Sequence, residues 1–371
     1  KAQLKNWVFF FIQMLNNQKS KIKSDFLDNH DEDGGSRRNL TSWNLKLVGG
    51  LAVLWSLFQL WYASPLPFIL DFGKFIDVPA RAIHLAFGMS LCFFAYPAFK
   101  SGRSKKISFI DYLFATVALA ATLYLYFDYE GLVDRQGILA NLKIFNYNIP
   151  YELILGLFGI ILLLEATRRA IGTPLVIIAL VFLLFSIFGQ VMPHLISHQG
   201  LSFTRLVGYH WFGGEAIFGI PISVSVSFIF LFVLFGSTLD AAGGGKYFLN
   251  LAFALVGKMR GGPAKAAILA SGLTGLISGS SVANTVTTGT FTIPIMKKTG
   301  LPATKAGAIE VAASVNGQIM PPIMGAAAFV MAELLGISYF TVITHAFLPA
   351  VISYIALFYI SHLESVKLNI K

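Results

Sequence analysis

Apolar positions in this chain fall in long runs separated by short polar stretches, and the runs set the architecture. Residues 45–63, 80–99, 108–127, 150–164, 174–192 and 216–239 form six such runs. Each approaches or reaches the roughly 20 residues that a helix needs to cross about 30 Å of hydrocarbon. The pattern predicts six transmembrane helices, the fourth the shortest, and a further one over residues 338–361. No alternating strand pattern competes with these runs, so the predicted class is all-α and polytopic.

The pattern changes after residue 260. The stretch 261–299 reads GGPAKAAILASGLTGLISGSSVANTVTTGTFTIPIMKKT. Pro263 suits the first turn of a helix. A first arm over 264–277 and a second over 282–296 are separated by Ser278, Gly279, Ser280 and Ser281. About 15 residues per arm give roughly 22 Å, too short to span. Both outer ends are basic, with Lys258, Arg260 and Lys265 before the pair and Lys297, Lys298 and Lys305 after it. Positive residues mark cytoplasmic ends. The stretch is therefore read as a re-entrant hairpin whose uncharged tip, 278–284, stops near the membrane midplane. Ser271, Gly275 and Gly279, each four apart, form a stripe suited to close helix packing.

A second irregularity follows. Residues 304–335 are long enough to span but are interrupted by Asn316, Gly317, Gln318, Pro321, Pro322 and Gly325. Proline removes a donor and clashes with the preceding turn, so a discontinuous helix is expected. Broken backbone at membrane depth is tolerated where it lines a cavity or is buried in protein. Helix ends there suit ions: the C-terminal end of the first arm, with Ser and Asn oxygens, suits a small hard cation, and the N-terminus of the second arm suits a carboxylate.

Composition narrows the class. Charged residues make up 12% and hydrophobic residues 56% of the 371 positions, against ~25% charged in an ordinary soluble domain. Mean hydropathy is +0.69. A water-soluble globule is excluded. The net charge of +10 does not point to nucleic acid, because the basic residues sit in short clusters between apolar runs. Arg37, Arg38 and Lys46, the loop Lys100, Arg103, Lys105 and Lys106, the pair Arg168 and Arg169, and the group Lys246, Lys258, Arg260 and Lys265 all fall on one side of six spans. The N-terminus is thus predicted cytoplasmic. A lone Cys92 offers neither a disulfide framework nor a thiolate metal site. The chain starts at Lys1 without an initiator Met, which leaves room for residues upstream.

The domain reading follows: a cytoplasmic leader over 1–44, scaffold helices over 45–172, a connecting helix and extracytoplasmic loop over 173–215, and a functional module over 216–371, where Gly, Ala, Ser and Thr replace Leu and Phe. Other signals fail their tests. The acidic stretch 29–34 lacks the closing Glu of a calcium loop, with Leu40 in its place. His194 and His198 lack the Glu of a zinc motif, and Tyr247 stands where a phosphate loop needs Ser or Thr. Glu310 and Glu333 read as interfacial, with proton carriage or site ordering the alternative for Glu310. Trp55, Trp61 and Tyr62 read as interface anchors.

The run SGSSVANTVTTGTFTIPIMKKTGLPATKAGAIEVAASVNGQIMPPIMGAAAFVMAE resembles the large permease subunit of tripartite ATP-independent periplasmic (TRAP) transporters. More narrowly it is similar to permeases in which the small and large subunits are fused and which work with TAXI-type periplasmic binding proteins. The small-subunit-like part would cover about 45–164. The resemblance implies an elevator-type, ion-transporter-like repeat in a bacterial inner membrane, driven by sodium. It implies a periplasmic solute-binding protein that delivers an organic acid, and no covalent chemistry. Carried over by position, Ser280, Ser281, Asn284, Thr285, Asn316, Gln318, Pro321 and Pro322 would contact substrate. Ser278, Gly279, Ser281, Asn284, Asn316 and Gly317 would hold sodium. Such transporters carry two inverted repeats and this sequence shows one, so a second half is expected on a longer or separate chain. Two other readings stay open. One is an elevator-type carboxylate carrier that needs no binding protein. The other, last in rank, is a membrane-embedded enzyme, for which the sequence offers only Glu310 and isolated histidines.

Overall fold

The computed structural model describes residues 38, 40, 42–98, 106–135, 138–144 and 147–370. The acidic stretch 29–34, most of the leader, and Lys100, Arg103 and Lys105 lie outside them. The described chain is helical almost throughout, as its hydropathy predicts. The scaffold helices are α1 (Ser42–Ala63), α2 (Asp77–Ala95), α3 (Phe109–Phe127), α4 (Tyr151–Ala170) and α5 (Thr173–Ile187). After α5 come a continuous helical stretch whose last part is α6 (Phe230–Ala241), then α7 (Gly244–Val256), α8 (Gly262–Ser278), α9 (Ser281–Lys298), α10 (Ala303–Gly317), α11 (Ala326–Leu335) and α12 (Tyr339–Lys367).

Among the described residues five helices are long and apolar enough to cross a membrane: Trp43–Ala63, Asp77–Ala95, Phe109–Phe127, Ile220–Leu239 and Tyr339–Lys367. This is a multi-pass membrane protein. Two predicted spans differ from expectation. The fourth is longer, 20 residues, and carries Glu152, Glu165, Arg168 and Arg169 at its ends. The fifth is shorter: α5 has 15 residues, roughly 22 Å at 1.5 Å per residue. It stops where His198 folds back onto it. The imidazole Nε2 lies 3.0 Å from the Phe185 carbonyl, Nδ1 accepts the Gly200 N–H at 3.1 Å, and a Cβ on Gly189 would strike the ring. The all-α expectation also missed a small antiparallel ribbon between α3 and α4, β1 (Leu142–Ile144) with β2 (Tyr147–Ile149), in which Leu142 faces Ile149.

The chain forms two compact units. One holds the described part of Lys1–Ala52 with Ala86–Ala121 and Phe158–Leu201. Among its buried apolar residues lies an ionic cluster. Asp111 is 1% exposed and is bridged by Arg38 and, at 2.6 Å, by Arg169, while Glu165 holds Arg169 and Arg168 at 2.7 Å each. The Arg169 guanidinium also lies 5.0 Å from the centre of the Phe93 ring.

The other unit holds Val53–Leu85, Thr122–Leu157 and Ser202–Lys371. In its scaffold part, His84 Nδ1 accepts the Trp55 indole N–H at 3.1 Å, which leaves the ring proton on Nε2, 3.0 Å from Ser225 Oγ. Ser225 opens a π-helical turn, Ser225–Ile229, inside the Ile220–Leu239 span. The loop before α4 is tied down by Glu152, which is fully buried. It accepts from the Tyr124 hydroxyl and Arg135 Nη2, at 2.5 Å each, and from the Ala140 N–H. Arg135 also bridges Asp128 at 2.9 Å.

The rest of this unit is built on α8, α9, α10 and α12. Small residues let the backbones approach: Ala264, Ala267, Ala306 and Ala313 are fully buried beside Ile268 and Met296. One close approach is glycine on glycine, where a Cβ on Gly275 of α8 would come within 2.6 Å of Gly317 Cα. α7 packs its Ala252 against Ala266 and Ala270 of α8. The α11–α12 corner is closed by the Phe329 and Tyr339 rings, stacked at 4.1 Å between centroids.

Two predictions follow from this packing. Gly275→Ala should destabilise the hairpin unit by about 1–3 kcal/mol, because backbone must move to admit the methyl; thermal unfolding in detergent reads this, with Gly307→Ala, which meets nothing within 4 Å, as the control. Glu152→Ala leaves the Ala140 N–H without its acceptor and Arg135 with Asp128 alone, and should cost about 2 kcal/mol locally, read as faster amide exchange across residues 128–135. The same loop carries an acid response. The Arg135 hydrogen bond, helped by that of Tyr124, holds the Asp128 carboxyl below the usual aspartate range. Its stabilising contribution is complete above the ordinary value near 3.9 and is lost as pH falls through the lowered one. Cleavage by pepsin near Leu132 should therefore rise only in strong acid.

Candidate functional site

The first arm of the hairpin ends because Gly279 takes a left-handed conformation, φ +58°, which only glycine adopts without strain. Gly279 is needed for a second reason: a Cβ there would lie 2.5 Å from the Met324 carbonyl oxygen. Ser280 is extended, and its Oγ accepts the Ala283 N–H at 3.2 Å, a standard N-cap that starts the second arm. The chain therefore reverses over two residues. The negative end of α8 and the positive end of α9 both sit at this turn.

The broken helix supplies the opposing wall. α10 ends at Gly317, the Pro321–Pro322 bond is cis, Met324 has φ +59°, and α11 begins at Ala326. The interruption is stabilised by replacement bonds. Gly325 N–H donates to the Gln318 carbonyl at 2.6 Å, and the Tyr339 hydroxyl serves the Pro322 carbonyl at 3.0 Å and that of Ile323.

Turn and break lie against each other. A Cβ on Gly325 would sit 3.4 Å from the Gly279 carbonyl oxygen, and Gln318 Nε2 donates to Ser281 Oγ at 3.0 Å. Asn284, one turn into α9, is 1% exposed. Its Nδ2 donates to the Ser271 carbonyl at 2.8 Å and to Ser271 Oγ at 3.0 Å. A carbonyl can only accept, so the amide orientation is fixed and Oδ1 faces away. That oxygen is buried and has no hydrogen-bond partner. An unpaired buried acceptor ordinarily costs about 1–3 kcal/mol, so it marks a place built for something else.

Below the turn runs a polar stripe. Asn284, Thr288 and Thr292 share one buried face of α9 at spacings of four. Thr288 and Thr292, the latter at 2.5 Å, donate to the carboxyl of Glu310, which is 0% exposed. Ser314, one turn beyond Glu310, lies 3.1 Å from Ser271 through their hydroxyls, and Tyr354 of α12 donates to the Ala313 carbonyl at 2.9 Å.

Of the residues expected at the site, Gly279, Ser281, Asn284, Gly317 and Gln318 are brought together where the hairpin turn meets the helix break. Ser280 caps α9, and the Thr285 hydroxyl donates to the Ser281 carbonyl at 2.8 Å within its own helix. Pro321 is buried and Pro322 exposed; they shape the break, where the Pro322 carbonyl accepts from Tyr339. Asn316 is half-buried and its carbonyl accepts the Ile319 N–H at 3.2 Å. Ser278 closes α8. Sequence reasoning did not single out Thr288, Thr292, Ser314 or Tyr354. The spacing of four between Thr288 and Thr292, and between Glu310 and Ser314, is the signal that pairs them once α9 and α10 are known to be neighbours.

Comparison with known proteins places this geometry. Residues 158–371 match the family described as tripartite ATP-independent periplasmic transporter, DctM component. Over 178 residues the chain is 33% identical to the uncharacterized protein YgiK of Salmonella typhimurium, covering 48% of this chain and 36% of that one. It is 34% identical over 100 residues to a putative TRAP transporter large permease protein of Haemophilus influenzae, covering 27% and 24%. It is 33% identical over 91 residues to the C4-dicarboxylate TRAP transporter large permease protein DctM of Rhodobacter capsulatus, covering 24% and 21%. The matched part is thus little more than a third of the longest-matching relative and about a quarter or less of the others. No solved structure matches the chain. The named TRAP relatives are transporter permeases, not enzymes. Because the family match takes in more than half of the chain, with the hairpin and the broken helix inside it, the protein belongs to the DctM-component family of tripartite ATP-independent periplasmic transporters.

Proposed function

We propose that this chain is the permease component of a sodium-driven, binding-protein-dependent secondary transporter that imports an organic acid across a bacterial inner membrane. The observation that carries the reading is the unpartnered Oδ1 of buried Asn284 beside the hairpin turn. An all-oxygen surrounding suits a hard cation. No cluster of His, Cys, Asp and Glu able to hold a metal occurs among the described residues. With carboxylates absent from the turn, a monovalent ion fits better than a divalent one, whose sites are built on carboxylates.

In this reading Asn284 Oδ1 is the fixed ligand of sodium, with Ser281 and the backbone at Ser278, Gly279, Asn316 and Gly317 around it. Sodium and substrate are both cargo. The ion neutralises the negative end of α8 and stiffens the turn. The N-terminus of α9, with Ser280 and Ser281, then accepts a substrate carboxylate, while Thr285, Gln318 and the Pro321–Pro322 segment shape the opposite wall. Two relatives are named for C4-dicarboxylate and for 2,3-diketo-L-gulonate, both carboxylates. The hairpin enters from the cytoplasmic side, the repeat moves as an elevator against the scaffold helices, and a second repeat completes the carrier. The N-terminal helices act as a fused small subunit, and a TAXI-type binding protein supplies the substrate.

Asn284→Ala should weaken binding of radioactive sodium to the purified permease by about tenfold or more, and Ser281→Ala by a smaller factor, since one removes a side-chain ligand and the other a neighbour. Wild-type sodium binding in both variants rules out the assignment. Uptake by the complete permease in proteoliposomes should require both a sodium gradient and the soluble binding protein.

A further inference from the structure

Glu310 sits midway along α10 with no exposed surface. Its two oxygens are met by the Thr288 and Thr292 hydroxyls, and Ser314 lies one turn beyond it on the same helix. Gly289 makes the room: a Cβ there would lie 3.1 Å from Glu310 Cγ. Among the described residues no ion pair reaches this carboxyl. The groups facing it are hydroxyls, namely Thr288 and Thr292 from α9, Ser271 from α8 through Ser314, and Tyr354 from α12. The charged groups on these helices are engaged or exposed at their ends. Lys305 is held by Glu364, Lys265 lies 3.1 Å from His362, and Lys297 and Lys298 close α9 in the open.

An ionised carboxylate buried among hydroxyls alone carries a large desolvation penalty, and a proton removes it. The cluster accommodates both states. Each Thr hydroxyl has one proton and lies within reach of a carboxyl oxygen and of a carbonyl one turn back, Thr288 at 2.7 Å from the Asn284 carbonyl and Thr292 at 3.0 Å from that of Thr288. With Glu310 ionised, both hydroxyls donate to it. With Glu310 neutral, one turns to its helix carbonyl and accepts the carboxyl proton. Thr288, within reach of both the Glu310 carboxyl and the Asn284 carbonyl, joins the two residues, while Ser271 bonds Ser314 and the amide of Asn284 alongside.

We propose that Glu310 is a proton-binding site linked to the cation seat at Asn284: the carboxyl is neutral without sodium and ionises, releasing its proton to water, when sodium binds at Asn284 Oδ1. This rests on the reading of Asn284 as that seat. Linkage is reciprocal, so sodium binding must tighten as protons become scarce. Threonine donors lower the cost of the ionised state, which is why the stripe on α9 faces this residue.

The test is radioactive sodium binding to the whole purified permease at several pH values. Between about pH 6 and about pH 8 the wild-type affinity should rise about tenfold or more, and that of Glu310→Gln, which keeps the shape and cannot ionise, by less than about twofold. Thr292→Val, which removes one donor to the ionised form, should move the rise to higher pH. Infrared difference spectra without sodium should show a protonated-carboxyl band near neutral pH that Glu310→Gln lacks. The proposal is overturned by equal pH dependence in wild type and Glu310→Gln, or by absence of that band. Sodium binding at no pH overturns the Asn284 reading and the linkage together, whereas tight but pH-independent binding overturns the linkage alone.

Discussion

The close approach of two pieces of backbone, the turn of the hairpin and the break in the following helix, is the constraint on which this unit depends. Gly275 against Gly317, and Gly279 against Met324 and Gly325, leave no space for a β-carbon. Side chains on either surface would hold the helix ends apart. Without them, the carbonyls and amides released by the turn and the break come close to one another.

That approach also decides where polarity can be kept. Asn284, Ser271, Ser314, Thr288, Thr292 and Glu310 are all buried, and each bonds another member of the group. In a low-dielectric interior such a network is strong when satisfied and costly when not. One acceptor in it, Asn284 Oδ1, is left over, and one carboxyl, Glu310, has neither counter-charge nor solvent. The two irregularities lie on the same hydrogen-bonded chain. In the proposed reading, cargo changes how these two points are satisfied.

The scaffold part uses its buried polar groups in the opposite way. Glu152 is saturated by Tyr124, Arg135 and the Ala140 N–H, Asp111 is bridged twice, and His84 is held in one tautomer by Trp55. Groups matched this fully fix loops and helix ends. Beside them Gln59 Oε1 is a buried acceptor without a hydrogen-bond partner.

By itself the sequence determined the membrane class, the helical content, the break at Ser278–Ser281 and the second break around Pro321–Pro322, because each depends on local properties: run length, glycine and proline chemistry, and capping serine. It also singled out Asn284 by its place beside the turn. Local properties misjudged the fifth apolar run, since His198 folding back on α5 is a contact between residues distant in the pattern. They likewise gave no hint of the strand pair Leu142–Ile144 and Tyr147–Ile149. Only the tertiary structure decided that α9 and α10 lie side by side, turning Thr288, Thr292 and Glu310 from an ordinary hydroxyl stripe and an interfacial acid into one buried cluster. Which oxygen is left unpaired depends on which neighbours arrive, and that is a property of packing, not of any single segment.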